Sequence, residues 1–247
     1  MNLKQAKHVE LHAVTDGSQT VEELSEILLL IQRDVDFIHI REKNKQPKKI
    51  VQLIQALVDS GVPREKLVVN DRVDIALLLG LHNVHLPSAG IPVERLKEKF
   101  PELKAGVSVH TLEDALQAEQ KGADYVMFGH IFTTRSKPGL SPRGLDALRA
   151  VAHTVKRPVV AIGGIHPHNA KDVVEAGAAG IAVMSALFSA ENPQKAARSF
   201  HFVHKGGGKS EGGRFSDQHC GQRHRVTVGL GSKGVQRHWH TECSRTH

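Results

Sequence analysis

Two glycine-bearing strings in the last third of the ordered-looking sequence have the composition of a phosphate cradle. AIGGI at 161–165 and AVMSALF at 182–188 both run from apolar residues into small ones. The N–H groups of Gly163, Gly164 and Ser185, with Met184 leading into a short helix, would face a phosphate with their partial positive charge. The same glycines would also allow two loops to pack closely. A third string, FGHIFTTRSKPG at 128–139, is rich in hydroxyls and cations. Thr134, Ser136 and Lys137 can donate hydrogen bonds to an anion, as can Ser108 in GVSV. His130 is the candidate catalytic acid/base, because an imidazole titrates near neutrality and moves a proton in either direction. The chain holds 17 histidines, so a packing role for this one stands beside the catalytic reading.

Two further strings add charge and polarity. In HIREK, strand alternation puts His39, Arg41 and Lys43 on one face, which suits a carboxylate or phosphate ligand. The alternative is ion pairing with Glu42 or a neighbouring acid. In VVNDRVD, Asn70 is placed to touch a ligand, and Asp71 to cap the next helix.

These residues share a position: each closes a short apolar run. The runs are LHAVT, FIHI, KLVVN, NVHLP, AGVSV, YVMFG, PVVAIGG and GIAVMS, spaced by about 20 to 30 residues. Unbroken apolar runs of this length suit strands buried on both faces, as in a parallel sheet. Between them lie helical stripes such as Val21, Leu24, Ile27, Leu28 and Ile31, or Ile50, Leu53, Ile54 and Leu57, each with a charged back. Gly61, Gly122 and Gly177 stand where C-terminal helix caps belong. Eight strand and helix units predict an α/β fold, a single (β/α)₈ TIM barrel over 1–204, with its ligand site at the C-terminal strand ends.

Composition draws the boundary at 204. The formal charge of +7 implies a basic protein, but 8 of the 33 Lys and Arg and only 3 of the 26 Asp and Glu lie in 205–247. The remaining 25 and 23 leave the body close to neutral. Cys220, Cys243 and the sole tryptophan, Trp239, also lie past 204, so the body has no disulfide or thiol chemistry. The segment 205–247 has little apolar periodicity and is expected to be a disordered tail, with an aberrant C-terminus as one hypothesis for the abrupt change in composition. Its GGGKS resembles the end of a P-loop, yet Val203 replaces the first glycine and no strand precedes it. Cys220, His224, His238, His240 and Cys243 match no common zinc spacing. Its basic charge lacks a fold that would read nucleic acid. The N-terminal residues carry no apolar signal stretch and no run reaches membrane-spanning length, which points to the cytoplasm. Neither membrane nor nucleic-acid partners are expected; a homo-oligomer is compatible with the sequence.

Taken in order, HAVTD, HIREK, VVNDRVDIA, NVHLP, GVSVH, ADYVMFGHIFTTRSK, VVAIGGI and AGAAGIAVMSALF resemble the thiamin phosphate synthase superfamily over about residues 9–203. That superfamily has a Gly-Gln-x-Asp motif after the fourth strand, whose Asp helps hold magnesium; here Pro87, Ser88, Ala89 and Gly90 stand there. Asp71 matches the other metal position. The FGH string, with His130 where synthases commonly have proline, resembles the TenI-type thiazole tautomerases. The resemblance implies thiazole-phosphate contacts from Ser108, Thr134, Ser136, Lys137, Gly164 and Ser185. It leads to the expectation of an isomerase that aromatises a carboxythiazole phosphate by a proton shift at His130, with no metal and no cofactor. Lys43 agrees instead with the synthase pattern, and so supports the alternative of a magnesium-dependent transferase joining a pyrimidine diphosphate to the thiazole phosphate. A regulatory homologue that binds without catalysis is the third reading.

Overall fold

The computed structural model describes residues 8–200. The chain separates into two units, Met1–Gly208 and Lys209–His247, and the fold is that of the first. Expectations placed on 205–247, including the GGGKS string and the Cys and His set, lie outside the described residues.

All eight apolar runs are strands: β1 (Glu10–Val14), β2 (Phe37–Ile40), β3 (Leu67–Asn70), β4 (Asn83–Leu86), β5 (Lys104–Val109), β6 (Tyr125–Gly129), β7 (Val159–Ile162) and β8 (Gly180–Val183). They pair in parallel and in sequence order, and β8 closes on β1 with Leu11 opposite Ile181. This is the (β/α)₈ barrel that the alternation predicts.

The helices supply the outer layer. They are α1 (Val21–Ile31), α2 (Pro47–Asp59), α3 (Val73–Leu78), α4 (Val93–Lys99), α5 (Leu112–Gln120), α6 (Gly144–Thr154), α7 (Ala170–Glu175), α8 (Ser185–Phe188) and α9 (Pro193–Arg198). Helix α1 begins where Thr20 and Glu23 form a reciprocal capping box, and α5 begins the same way at Thr111 and Asp114. The apolar stripe of α1 buries Leu24, Leu28 and Ile31, and that of α2 buries Ile50, Leu53, Ile54 and Leu57. Burial contributes about 1.5 to 3 kcal/mol for each such side chain. Gly61, Gly122 and Gly177 follow α2, α5 and α7 with positive φ, as the caps require.

Strand alternation splits the interior into two environments. Outward residues such as Leu11, Ile38, Val69, Val84, Val126, Ala161 and Ile181 pack under the helices in one continuous core. Inside the barrel, Val14, Met127, Val160 and Ala182 form a small apolar cluster. Three further inward positions hold His12, His39 and His85, all buried. The barrel is therefore apolar on one side and lined by imidazoles on the other. Among the described residues, no helix is long and apolar enough to cross a membrane.

Asp71 departs from the expected capping role. Helix α3 has Arg72 at its N-cap position with no side-chain cap, and Asp71 itself has φ of 65°. A non-glycine residue in left-handed backbone ends β3 sharply and turns its carboxylate into the mouth.

Candidate active site at the barrel mouth

The C-terminal ends of the strands surround a cavity of about 1330 Å³. Single small-molecule sites occupy roughly 300 to 1000 Å³, so this mouth has room for two reactants. Arg41, Lys43, Asn70, Ser108, His130, Thr134, Ser136, Lys137, Gly163, Gly164, Met184 and Ser185 all line it. His39 does not: it is fully buried below the mouth, and reaches it only through Asn70, whose Oδ1 is 3.2 Å from His39 Nδ1. The expected direct contact from His39 is corrected accordingly. Inside the barrel its other ring nitrogen, Nε2, is 3.0 Å from His12 Nδ1.

The cradle between β7 and β8 is sterically dictated. Gly163 and Gly164 have φ of 103° and 66°. A Cβ on Gly163 would strike His130, and one on Gly164 would lie 2.6 Å from the Thr133 carbonyl. Close packing against the β6 loop is thus real, and both glycines line the mouth. Loop 128–139, packed beside the cradle, adds hydroxyls and cations to the same mouth.

Charge at the mouth is mostly positive. Glu42 does not neutralise Arg41 or Lys43: it is buried and pairs with Lys45 Nζ at 2.6 Å. Lys45 also donates to the Gln19 carbonyl at 2.6 Å, which anchors the pair beside the wall. Among the described residues, no carboxylate forms an ion pair with Arg41, Lys43, Arg135 or Lys137. Four cations facing a cavity attract an anion of several charges. Arg135 was missed in the sequence, although it sits between two residues that were singled out.

Below Ser108 lies a chain that sequence reasoning also missed. The hydroxyl of the partly buried Tyr125 is 3.1 Å from His85 Nδ1, and His85 Nε2 is 2.8 Å from Ser108 Oγ. Burial, aided by the Glu10 and Asp124 carboxylates, raises the Tyr125 pKa, so the phenol keeps its proton and can donate. Burial first, then the charges of His12 and Arg41, lowers His85 to about 3. A neutral His85 that accepts from Tyr125 must donate from Nε2 to Ser108. The Ser108 proton is then free for a ligand. Gly106 makes room for this arrangement, since any Cβ there would overlap the Tyr125 ring. The period-2 pattern of NVHLP and YVMFG is the signal that would have placed His85 and Tyr125 inside the barrel.

His130 is buried, with Nε2 3.2 Å from the Leu140 carbonyl. His110, not singled out in the sequence, also lines the mouth and holds the Gly129 carbonyl through Nδ1 at 2.7 Å. The two imidazoles fasten the base and the far end of the β6 loop.

Magnesium binds oxygen ligands, commonly one or two carboxylates together with substrate phosphates. Asp71 stands at the mouth, but Pro87 and Ser88, which follow the neighbouring strand β4, line it without a carboxylate. A side chain at Gly90 would meet Pro87 Cδ at 2.8 Å. Among the described residues, no three His, Cys, Asp or Glu are grouped to hold a metal. The residues present do not fit the paired-carboxylate magnesium centre of the superfamily.

A closed eight-stranded parallel barrel, with paired glycines after its seventh strand and cationic residues around its mouth, defines a (β/α)₈ protein with its candidate site at the C-terminal strand ends. The chain belongs to the thiamine monophosphate synthase family, whose model matches residues 11–187. The thiamine-phosphate synthase of Roseiflexus sp. (strain RS-1) is 45% identical over 172 residues, covering 67% of this chain and 72% of that protein. The thiamine-phosphate synthase of Pyrococcus furiosus is 38% identical over 197 residues, covering 79% of this chain and 94% of that one. The solved thiamine phosphate pyrophosphorylase from Pyrococcus furiosus superposes with a TM-score of 0.68 at 35% identity, covering 81% of this chain and 97% of that one. A 3-hexulose-6-phosphate synthase, at 18% identity and a TM-score of 0.63, shares the fold alone.

These relatives correct the narrower expectation. The similar proteins are synthases, so the reading of the chain as a tautomerase that shifts a proton at His130 is not supported. The physical counterpart is the setting of His130, whose Nε2 is committed to the Leu140 carbonyl within its own loop.

Proposed function

We propose that the protein is a transferase of the thiamine-phosphate synthase type, joining a pyrimidine diphosphate to a thiazole phosphate and releasing diphosphate. The observation that carries this reading is the family relationship, at 45% and 38% identity to synthases over most of the chain. A cavity of about 1330 Å³, large enough for two reactants, is consistent with it. Enclosing both in one mouth makes the encounter intramolecular, the main contribution expected where reactants need only be aligned.

In this reading the thiazole phosphate lies against the Gly163, Gly164 and Ser185 N–H groups, with Ser108, Thr134, Ser136 and Lys137 donating to its oxygens. Arg41, Lys43 and Arg135 face the diphosphate. As its bond to the pyrimidine breaks and the bond to the thiazole forms, negative charge grows on the leaving group. Fixed cations aimed at that charge lower the barrier. Asn70 and Asp71 frame the space between the two anions.

A second reading, binding without transfer, is favoured by one observation: Asp71 lacks a partner carboxylate on the β4 side. Incubation with both substrates and magnesium separates the two. Stoichiometric diphosphate and coupled product support the transferase, whereas binding of thiazole phosphate with no diphosphate released overturns it.

A further inference from the structure

Past β7 the backbone turns its acceptors into the protein and leaves donors free. The carbonyls of Ile162, Gly163 and Gly164 accept in turn from the Ile131 N–H at 2.9 Å, the Phe132 N–H at 3.0 Å and Asn169 Nδ2 at 3.0 Å. Among the described residues, the N–H groups of Gly164 and Ile165 meet no acceptor. Both residues line the mouth, and the Ile165 side chain also packs in the outer core. Successive free N–H groups in a turn form a concavity suited to an anion.

Asn169 is the N-cap of α7, yet its side chain makes no cap bond to that helix. It reaches back instead: Oδ1 accepts from the His166 N–H at 2.8 Å while Nδ2 donates to the Gly164 carbonyl. Those two partners fix the orientation of the amide, because a backbone N–H can only donate and a carbonyl can only accept. In a trans peptide the carbonyl and the following N–H point in opposite directions. Holding the Gly164 carbonyl therefore aims the Ile165 N–H away from Asn169. The restraint matters because Gly164, at φ of 66°, has no Cβ to resist rotation of that peptide. A turned peptide would put an acceptor where the donor stands.

We infer that Asn169 is a positioning residue of the phosphate seat: by holding the Gly164 carbonyl it presents the Ile165 N–H, beside that of Gly164, to a phosphate in the mouth. The inference rests on the thiazole-phosphate seat of the proposed function and not on the transfer step.

The test is a ¹H–¹⁵N NMR titration of the full chain with thiazole phosphate, read at the Gly164 and Ile165 amides. Both amide protons should move downfield on binding, and an Ile165 amide unmoved at saturation would overturn the inference. Asn169→Asp keeps an acceptor for His166 and a good cap residue, but sets a carboxylate against the Gly164 carbonyl. Asn169→Ser is also a good cap residue, carries no charge and is too short to reach that carbonyl. Each variant should weaken thiazole-phosphate binding by about tenfold, the scale of one hydrogen bond to a charged group, and erase the Ile165 shift. Affinity for pyrimidine diphosphate should not change, and the melting temperature should stay within a few degrees. A loss confined to Asn169→Asp would mark charge repulsion and reject positioning, as would unaltered affinity in both variants. Should neither variant fold, the Ile165 amide of the unaltered chain decides. If thiazole phosphate moves no amide of the mouth, titration with inorganic phosphate separates the two readings: a shift at Ile165 keeps the seat and removes the thiazole assignment, and no shift removes the seat. The expected shifts without diphosphate release would sink the transferase reading and leave this inference standing.

Discussion

His85 lies 2.8 Å from Ser108 Oγ and 3.1 Å from the Tyr125 hydroxyl, and where Tyr125 donates to it, His85 donates to Ser108 and leaves the serine its proton for a ligand. Ser108→Ala removes that donor and leaves His85 without an acceptor. It should raise KM for thiazole phosphate by about tenfold, measured by steady-state kinetics. Tyr125→Phe should act on the same quantity, and the double variant should cost little more than the worse single one, because the residues act in one chain. Independent, additive effects would contradict the chain. The buried imidazoles also set an acid limit. His39 and His85 are held neutral in the fold, with pKa values below that of the unfolded chain, so the unfolded state binds more protons as the pH falls. Stability is fully present above pH 6.5 and declines below it, through the His85 value of about 3. Each imidazole contributes a slope of about 1.4 kcal/mol per pH unit in the middle of that window. Urea unfolding at pH 7.5, 6 and 5 checks this, and an unchanged midpoint would rule it out. None of this interior chemistry was read from the sequence: LHAVT, FIHI and NVHLP register as apolar strands, and the single histidine in each becomes meaningful only when register sets the three side by side.

The strands were the most legible elements, because burial on both faces demands an apolar run that no surface element mimics. Helices α1 and α2 were legible for a related reason, their stripes recurring at helical spacing beneath charged faces. Pairing partners across loops were not. Glu42 suggests itself as a partner for the basic residues of its own strand end, whereas it forms an ion pair with Lys45, three residues on. Asp71 was assigned to a cap, yet it occupies left-handed backbone at the mouth. The β7 and β8 loops carry the sharpest element-level prediction. Gly164→Ala forces a Cβ to 2.6 Å from the Thr133 carbonyl in a backbone conformation unfavourable to alanine. It should lower the melting temperature by several degrees and weaken phosphate binding by at least about tenfold, read by calorimetry. Unaltered phosphate affinity in a folded Gly164→Ala variant would remove the cradle from the account.

For the whole molecule, the last described residues still belong to the barrel: α9 is capped by Asn192, and Phe200 is fully buried. We propose that 205–247 contribute neither to catalysis nor to barrel stability. Truncation after residue 204 should leave kcat, KM and melting temperature unaltered, and a substantial loss in any of them would reverse that proposal. The net positive charge of the chain is concentrated in that segment, but the mouth's own excess of Arg41, Lys43, Arg135 and Lys137 remains after its removal. Substrate affinity in the truncated chain should therefore keep its dependence on ionic strength. The central claim is that the mouth couples two phosphorylated reactants. Its most direct test is diphosphate release by the purified full chain, given pyrimidine diphosphate, thiazole phosphate and magnesium together. The account predicts release in step with formation of the coupled product, dependent on both substrates. Saturating occupancy by both, with no diphosphate and no product, would contradict it.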